Sequence, residues 1–240
     1  MPALRSRVLP RRFKRAVPPA GGRAAIAIFA RAPLPGKAKT RLIPLLGRDD
    51  AARFHAALLR DTLRKVKALA GPFTRYLFYD GPRFPEKPAG YLRVPQRGPD
   101  LGHRLENAFR TLLRRHPYAV VIGTDSPLLP PQILREAWRE LRVCDAVLGP
   151  CPDGGYYLIG LRRLDKGIFR AIRWGTAFAF RDTLGKLLHR GYSCSILEPY
   201  EDVDVPEDVR RLVKQLARRR AARRLAPAAW QFLKGSTASR

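Results

Sequence analysis

Acidic side chains are scarce in this chain: 20 Asp and Glu stand against 47 Lys and Arg, a formal net charge of +27 over 240 residues. Cysteine is scarcer still. Cys144, Cys151 and Cys194 are odd in number, far apart and free of any CxxC spacing, which argues against a disulfide frame or a zinc site and for reduced thiols. The four histidines, His55, His103, His116 and His189, are scattered without an HExxH, and they read as surface or packing residues. No apolar run approaches the roughly 20 residues of a membrane helix. The basic N-terminus has no apolar core of a secretory signal, so a cytoplasmic location is expected. There is no P-loop, no GxGxxG and no internal repeat.

The basic excess is uneven. Residues 1–23 carry seven Lys or Arg and residues 214–240 carry eight, both without an acid, which is more than half of the imbalance. These ends read as solvated basic extensions: 1–23 an N-terminal extension, 214–240 the basic end of a last helix and a tail. Nucleic-acid binding is the functional alternative for them, but no aromatics interleave with the charges as stacking platforms. Residues 24–213 are left as one domain.

That domain is organised around YAVVIGTDSPLLP, residues 118–130. The apolar run Val120-Val121-Ile122 suits a strand buried on both faces of a parallel sheet. Ser126-Pro127 ends it, and Pro131 opens a helix with Ile133, Ala137 and Leu141 on one face. Asp125 thereby lies at the carboxyl end of a central strand, where open α/β sheets place their ligands.

Taken in order, AAIAIFA (24–30) is the first strand. The loop RAPLPGKAKTRLIPLLG (31–47) comes next, rich in proline and with Arg31, Lys37, Lys39 and Arg41 placed to meet a polyphosphate or simply to be solvated. A helix is expected at about 50–69, then strands at 74–79 and near 91–95. Asp100 is placed to N-cap a helix carrying Leu101, Leu105, Ala108, Phe109 and Leu112. After the organising unit come strand 144–150 and CPDGGYYLIGL (151–161). Gly154-Gly155 there is a hairpin turn, or a place where backbone approaches a ligand; Asp153 could be no more than a turn-former. A helix over 178–190, a strand at 193–199 and a helix after Pro206 complete the fold, with Asp204 and Glu207 spaced as a D-x-x-E capping box.

Six stretches in this order, FARAPLPGKAKTRL (29–42), QRGPDLGHRL (96–105), IGTDSPLLP (122–130), GPCPDGGYYLIGL (149–161), WGT (174–176) and DVDVPEDV (202–209), resemble a bacterial family, DUF2064, also called arsenosugar-biosynthesis-type glycosyltransferases. The resemblance covers roughly 24–213. It implies a single three-layer, Rossmann-like domain of the GT-A, nucleotide-diphospho-sugar transferase type, with a mostly parallel mixed sheet. It implies a nucleotide-sugar or nucleoside triphosphate donor, a small acceptor and a divalent cation, Mg²⁺ or Mn²⁺. Carried over residue by residue, Asp125 and Lys39 become the catalytic pair. Arg31, Lys37, Lys39, Arg41, Gln96, Gly98, Arg104 and Thr124 become the nucleotide and phosphate contacts. Asp153, Gly154, Gly155, Tyr156, Trp174 and Thr176 border the sugar or acceptor, and Asp125, Asp202 and Asp204 hold the metal. GT-A glycosyltransferases carry two acids as D-x-D, whereas Asp125 here is followed by Ser126 and Pro127.

The leading expectation is glycosyl transfer from a nucleotide sugar to a small acceptor. Nucleotidyl transfer with release of diphosphate, as in guanylyltransferases of similar single-acid pattern, fits the same residues. A basic nucleic-acid-binding protein on a retained fold is the third reading. Donor, acceptor and oligomeric state are not fixed by these residues.

Overall fold

The computed structural model describes residues 7–8, 23–81, 84 and 87–236; most of the N-terminal extension expected at 1–23 lies outside them. An eight-stranded sheet runs in the order β1-β8-β6-β7-β5-β2-β3-β4. Its strands are β1 (Arg7–Val8), β2 (Ala24–Arg31), β3 (Phe73–Asp80), β4 (Leu92–Pro95), β5 (Ala119–Ile122), β6 (Ala146–Pro150), β7 (Tyr156–Leu161) and β8 (Cys194–Ile196). β2 pairs in parallel with β3 and β5, β3 with β4, and β6 with β8. Only β7, between β5 and β6, and the edge pair β1 run antiparallel among the described strands. The fold is the mostly parallel α/β sheet expected.

Among the described residues there are seven α-helices: α1 (Ile43–Lys67), α2 (Leu101–Leu113), α3 (Pro131–Glu140), α4 (Ala179–His189), α5 (Pro206–Arg218), α6 (Arg220–Leu225) and α7 (Pro227–Lys234). β2 shows why the sheet needs both layers. Ala24, Ile26, Ile28 and Ala30 pack with α1 and α3 on one face, and Ala25 and Ala27 pack with α2 on the other. Alternate residues of a strand point to opposite faces, so a strand apolar throughout must be covered twice. α1 is interrupted at Gly47, and its long run begins near 50, as its periodicity predicts.

The C-terminal region corrects the sequence reading. α5 runs through residue 213 to Arg218, the basic helix end expected, but it is not the last helix. Nor are α6 and α7 a solvated tail: Ala222, Ala226, Ala229 and Leu233 are buried against Phe54 and Leu58 of α1 and Leu212 and Leu216 of α5. Two side chains one helical turn apart on α1 hold these short helices. Asp61 accepts hydrogen bonds from the free N–H groups of Ala228 and Ala229 at 3.0 and 2.9 Å, capping α7 from across the interface. Arg64 donates to the carbonyls of Arg224 and Leu225 at 2.8 and 3.0 Å, closing the end of α6. Helix ends leave such groups unpartnered, and here a neighbouring helix supplies the partners. Among the described residues, no helix is long and apolar enough to cross a membrane.

Candidate active site

The chain runs from β2 outward through β3 to β4, then returns to lay β5 on the other side of β2. Strand order reverses between β2 and β5, so the loops leaving their carboxyl ends diverge and open a crevice. The loop after β2 brings Lys39, the loop after β5 brings Asp125, and the segment after β8 brings Asp202 and Asp204. Lys39 Nζ lies 2.7 Å from Asp125 Oδ1 and donates to Asp204 Oδ1 at 2.8 Å and to the Val203 carbonyl at 2.6 Å. The two acid-bearing loops are also joined through backbone, Val203 N donating to the Asp125 carbonyl at 2.9 Å.

The lysine side chain is only 5% exposed. Burial by itself would lower its pKa, but Asp125 and Asp204 outweigh burial and carry it above the ordinary value. Burial would likewise raise the Asp125 carboxyl, and Lys39 turns the net shift downward. Both groups are therefore charged at neutral pH, each because of the other. Lys39 is also one of two non-glycine residues with positive φ among those described, at φ 49°, ψ 44°. A β-carbon in that region costs roughly 1–2 kcal/mol, and the three hydrogen bonds of its ammonium hold it there.

Asp202 is not part of this ion pair. Burial first, then Asp153, Asp204 and Asp125, push its carboxyl up to about 6. Ligand atoms of Cys151, Asp153 and Asp202 lie within 4.8 Å of one another and could hold a metal ion. Hard cations prefer carboxylate oxygens to sulfur, so Asp153 and Asp202 are the better ligands of the three. The expected trio Asp125, Asp202 and Asp204 fits a cation less well: Asp125 and Asp204 already share the Lys39 ammonium.

At the carboxyl ends of β2, β3 and β4 lies a cleft of about 340 Å³ lined by Phe29, Arg31, Asp80, Gln96, Asp100 and Arg104, among others. Arg104 donates to Asp80 at 2.6 Å and to the Gly98 carbonyl at 3.0 Å, and Gln96 donates to the carbonyls of Phe78 and Ala30 at 3.0 and 3.3 Å. Gly98 has φ 137°, and a Cβ there would fall 2.7 Å from His103 Cβ, so this turn needs glycine. Arg31 Nη1 donates to the Lys37 carbonyl at 3.2 Å, its Nε 3.8 Å from Asp80. Lys37 is exposed, and Arg41 is 66% exposed with its guanidinium 3.9 Å from Asp204. Thr124 is buried, with its hydroxyl 3.4 Å from Asp125 Oδ1.

The residues expected on the acceptor side come together, but largely against each other. β6 and β7 form the hairpin that Gly154-Gly155 suggested, and Asp153 accepts from Gly155 N at 2.8 Å as a turn-former. Gly154, at φ 87°, is needed because its Cβ would collide with the Ala177 carbonyl; the close approach is by the chain itself. Trp174 meets Tyr156 edge-on at 6.1 Å and packs against the α2 core, and Thr176 donates to the Arg173 carbonyl at 2.7 Å.

The capping box also shifts. α5 begins after Val205, and its first turn is capped by Asp208, which accepts from Asp204 N at 2.8 Å and Val205 N at 2.9 Å and pairs with Arg211. Pro206 at the first helical position moves the register by one residue from the D-x-x-E spacing. Asp204 is thus free to face Lys39. Asp100 caps α2 as expected, accepting from His103 N at 2.9 Å.

Two buried polar residues support the site: His55, read in the sequence as a surface or packing residue, and Lys65, which went unremarked. His55 is buried, its Nε2 2.9 Å from the Arg31 carbonyl; burial first lowers its pKa, so the ring is neutral. Lys65, lowered to about 8 by burial, donates to the Pro127 carbonyl at 2.8 Å and anchors the loop behind Asp125. Their signal was present: His55, Leu58, Leu59, Thr62, Lys65 and Val66 share one helical stripe, so polar side chains stand on a buried face.

A family model described as "Uncharacterized protein conserved in bacteria (DUF2064)" matches residues 50–176. No curated protein matches the chain. Among solved structures, a proposed nucleotide-diphospho-sugar transferase from Desulfovibrio desulfuricans G20 is 28% identical, with a TM-score of 0.81 over 90% of this chain and 95% of that one. CMP:2-keto-3-deoxy-manno-octonic acid synthetase, solved with CTP, is 13% identical with a TM-score of 0.53, over 82% of this chain and 99% of that one. The 4-diphosphocytidyl-2C-methyl-D-erythritol synthase of Anaerococcus prevotii DSM 20548 is 12% identical with a TM-score of 0.56, over 82% and 97%. These two share the fold.

Proposed function

The chain belongs to that family of uncharacterized bacterial proteins, DUF2064, whose model spans more than half of it, and from this we propose that it is a transferase acting on a nucleotide-activated donor. The observation that carries the reading is the meeting of Lys39, Asp125 and Asp204 at the β2–β5 switch point, on the carboxyl edge of the sheet where a cleft also opens at the ends of β2, β3 and β4. The similarity to the D. desulfuricans protein supports it.

The cleft at Phe29, Gln96 and Arg104 would take the nucleoside, and the exposed cations Arg31, Lys37 and Arg41 would meet the phosphates. A divalent cation would be held by Asp153 and Asp202 and would stabilise charge on the departing phosphates. Asp125, kept ionised by Lys39, orients groups at the reacting centre, and Lys39 keeps the crevice from becoming too negative to admit a polyphosphate. Glycosyl transfer to a small acceptor is the leading chemistry. Nucleotidyl transfer is favoured by one feature, the single acid at the end of β5 in place of D-x-D.

A thermal-shift panel of nucleoside di- and triphosphates and nucleotide sugars tests donor binding. A ligand at 100 times its dissociation constant should add about 2.7 kcal/mol of stability. With the donor known, release of a nucleoside diphosphate marks glycosyl transfer and release of diphosphate marks nucleotidyl transfer. No shift with any nucleotide overturns the reading.

A further inference from the structure

We propose that Lys39 is the resident cation of the Asp125–Asp204 pair and bars a divalent cation from it. This rests on the reading of the crevice as a donor site and refines which of its acids a metal can use. An ammonium has three donors, and here all three are engaged: Asp125 at 2.7 Å, Asp204 at 2.8 Å and the Val203 carbonyl at 2.6 Å. Two carboxylate oxygens and a carbonyl are the ligands a hard divalent cation takes, so Lys39 fills that shell with a protein charge.

The arrangement is built rather than incidental. The lysine side chain is almost wholly buried, and its backbone occupies the left-handed region to bring it there. The spacing of the two acids is set by main chain, through Val203 N on the Asp125 carbonyl, so the loops do not spread to hold lysine and metal together. A cation entering between the acids would leave a buried ammonium with only the Val203 carbonyl as acceptor. The polar partners of Lys39 are Asp125, Asp204 and the Val203 carbonyl, which leaves Asp202 open to a metal beside Asp153.

Mn²⁺ alone, titrated into the full chain without nucleotide and followed by electron paramagnetic resonance, tests the proposal. Asp204→Asn should lower the Mn²⁺ affinity of the unaltered chain by no more than about threefold, the loss of a nearby charge rather than of a ligand. Lys39→Met should add a Mn²⁺ site, tightening binding by about tenfold or more as a competing charge is removed. Lys39→Met combined with Asp204→Asn should abolish that gain. A tenfold loss of Mn²⁺ binding in Asp204→Asn, or no gain in a folded Lys39→Met, overturns the proposal.

Should Lys39→Met fail to fold, amine acetylation of the unaltered protein decides. Lys39 should stay protected at saturating Mn²⁺, and Mn²⁺-induced labelling of Lys39 would refute exclusion. Because no nucleotide is present, failure here is distinct from failure of donor binding, which the thermal-shift panel reads separately.

Discussion

Among the crevice residues, exposure separates those that hold the site from those that can meet a ligand. Arg41, 66% exposed and only loosely paired with Asp204, is free to bind a phosphate. A charge-assisted hydrogen bond contributes about 1.5–3 kcal/mol. Arg41→Ala should therefore weaken nucleotide binding by about 10- to 100-fold in calorimetry, with stability within about 0.5 kcal/mol of the parent. Asp202 offers a pH signature. Its folded pKa, about 6, stands above the ordinary 3.8, so between those values the folded state binds more protons than the unfolded one. Its contribution to stability is most favourable below pH 4, falls as pH rises to about 6 and is flat beyond. The carboxyl is only partly buried, so the penalty at pH 7, discounted for solvent, is about 1 kcal/mol. Asp202→Asn should raise the melting temperature at pH 7 and give no gain at pH 4. Asp125, Lys39 and Asp204 could be picked from their loops, but that the lysine reaches the acids could not, since it depends on a left-handed backbone at residue 39 that local sequence does not announce.

Elements were readable wherever burial imposes a period. The strands at 24–31, 73–80 and 119–122 and the helices α2 and α3 lie within a residue or two of their expected bounds, because burial marks the strands as apolar runs and the helices as apolar stripes on a fixed repeat. The short helices α6 and α7 were not. Their stability comes from Asp61 and Arg64 on another helix, more than 150 residues earlier. Asp61 is buried, and burial raises its carboxyl even as the two N–H bonds oppose the shift. Asp61→Ala should cost about 1–3 kcal/mol in denaturant unfolding, the range for a lost cap that leaves buried N–H groups unpaired. Hydrogen exchange should quicken first in 227–234. Equal loss of protection across the whole sheet would argue against a local cap.

For the molecule as a whole, charge and covering work against each other. A net +27 repels itself, and salt screens such repulsion over a Debye length of about 8 Å at physiological strength. Stability should therefore rise with salt between roughly 20 and 200 mM, which thermal melts at neutral pH would register. A chain ending at Arg218 would shed six of those charges and still be less stable, because Phe54, Leu58 and Leu212 would lose the cover of Ala222, Ala229 and Leu233. Greater stability in the truncated chain would reverse that ranking. Composition alone hid this, since an arginine-rich segment reads as solvated until its alanines are seen to face a core. The backbone bond from Val203 to Asp125 carries a last consequence. The walls of the crevice are pinned by main chain while its charge resides in side chains, so the two can be changed independently. A variant with altered acids can keep the shape of the parent, fit for trapping an unreacted donor or for drifting between related chemistries without refolding its frame.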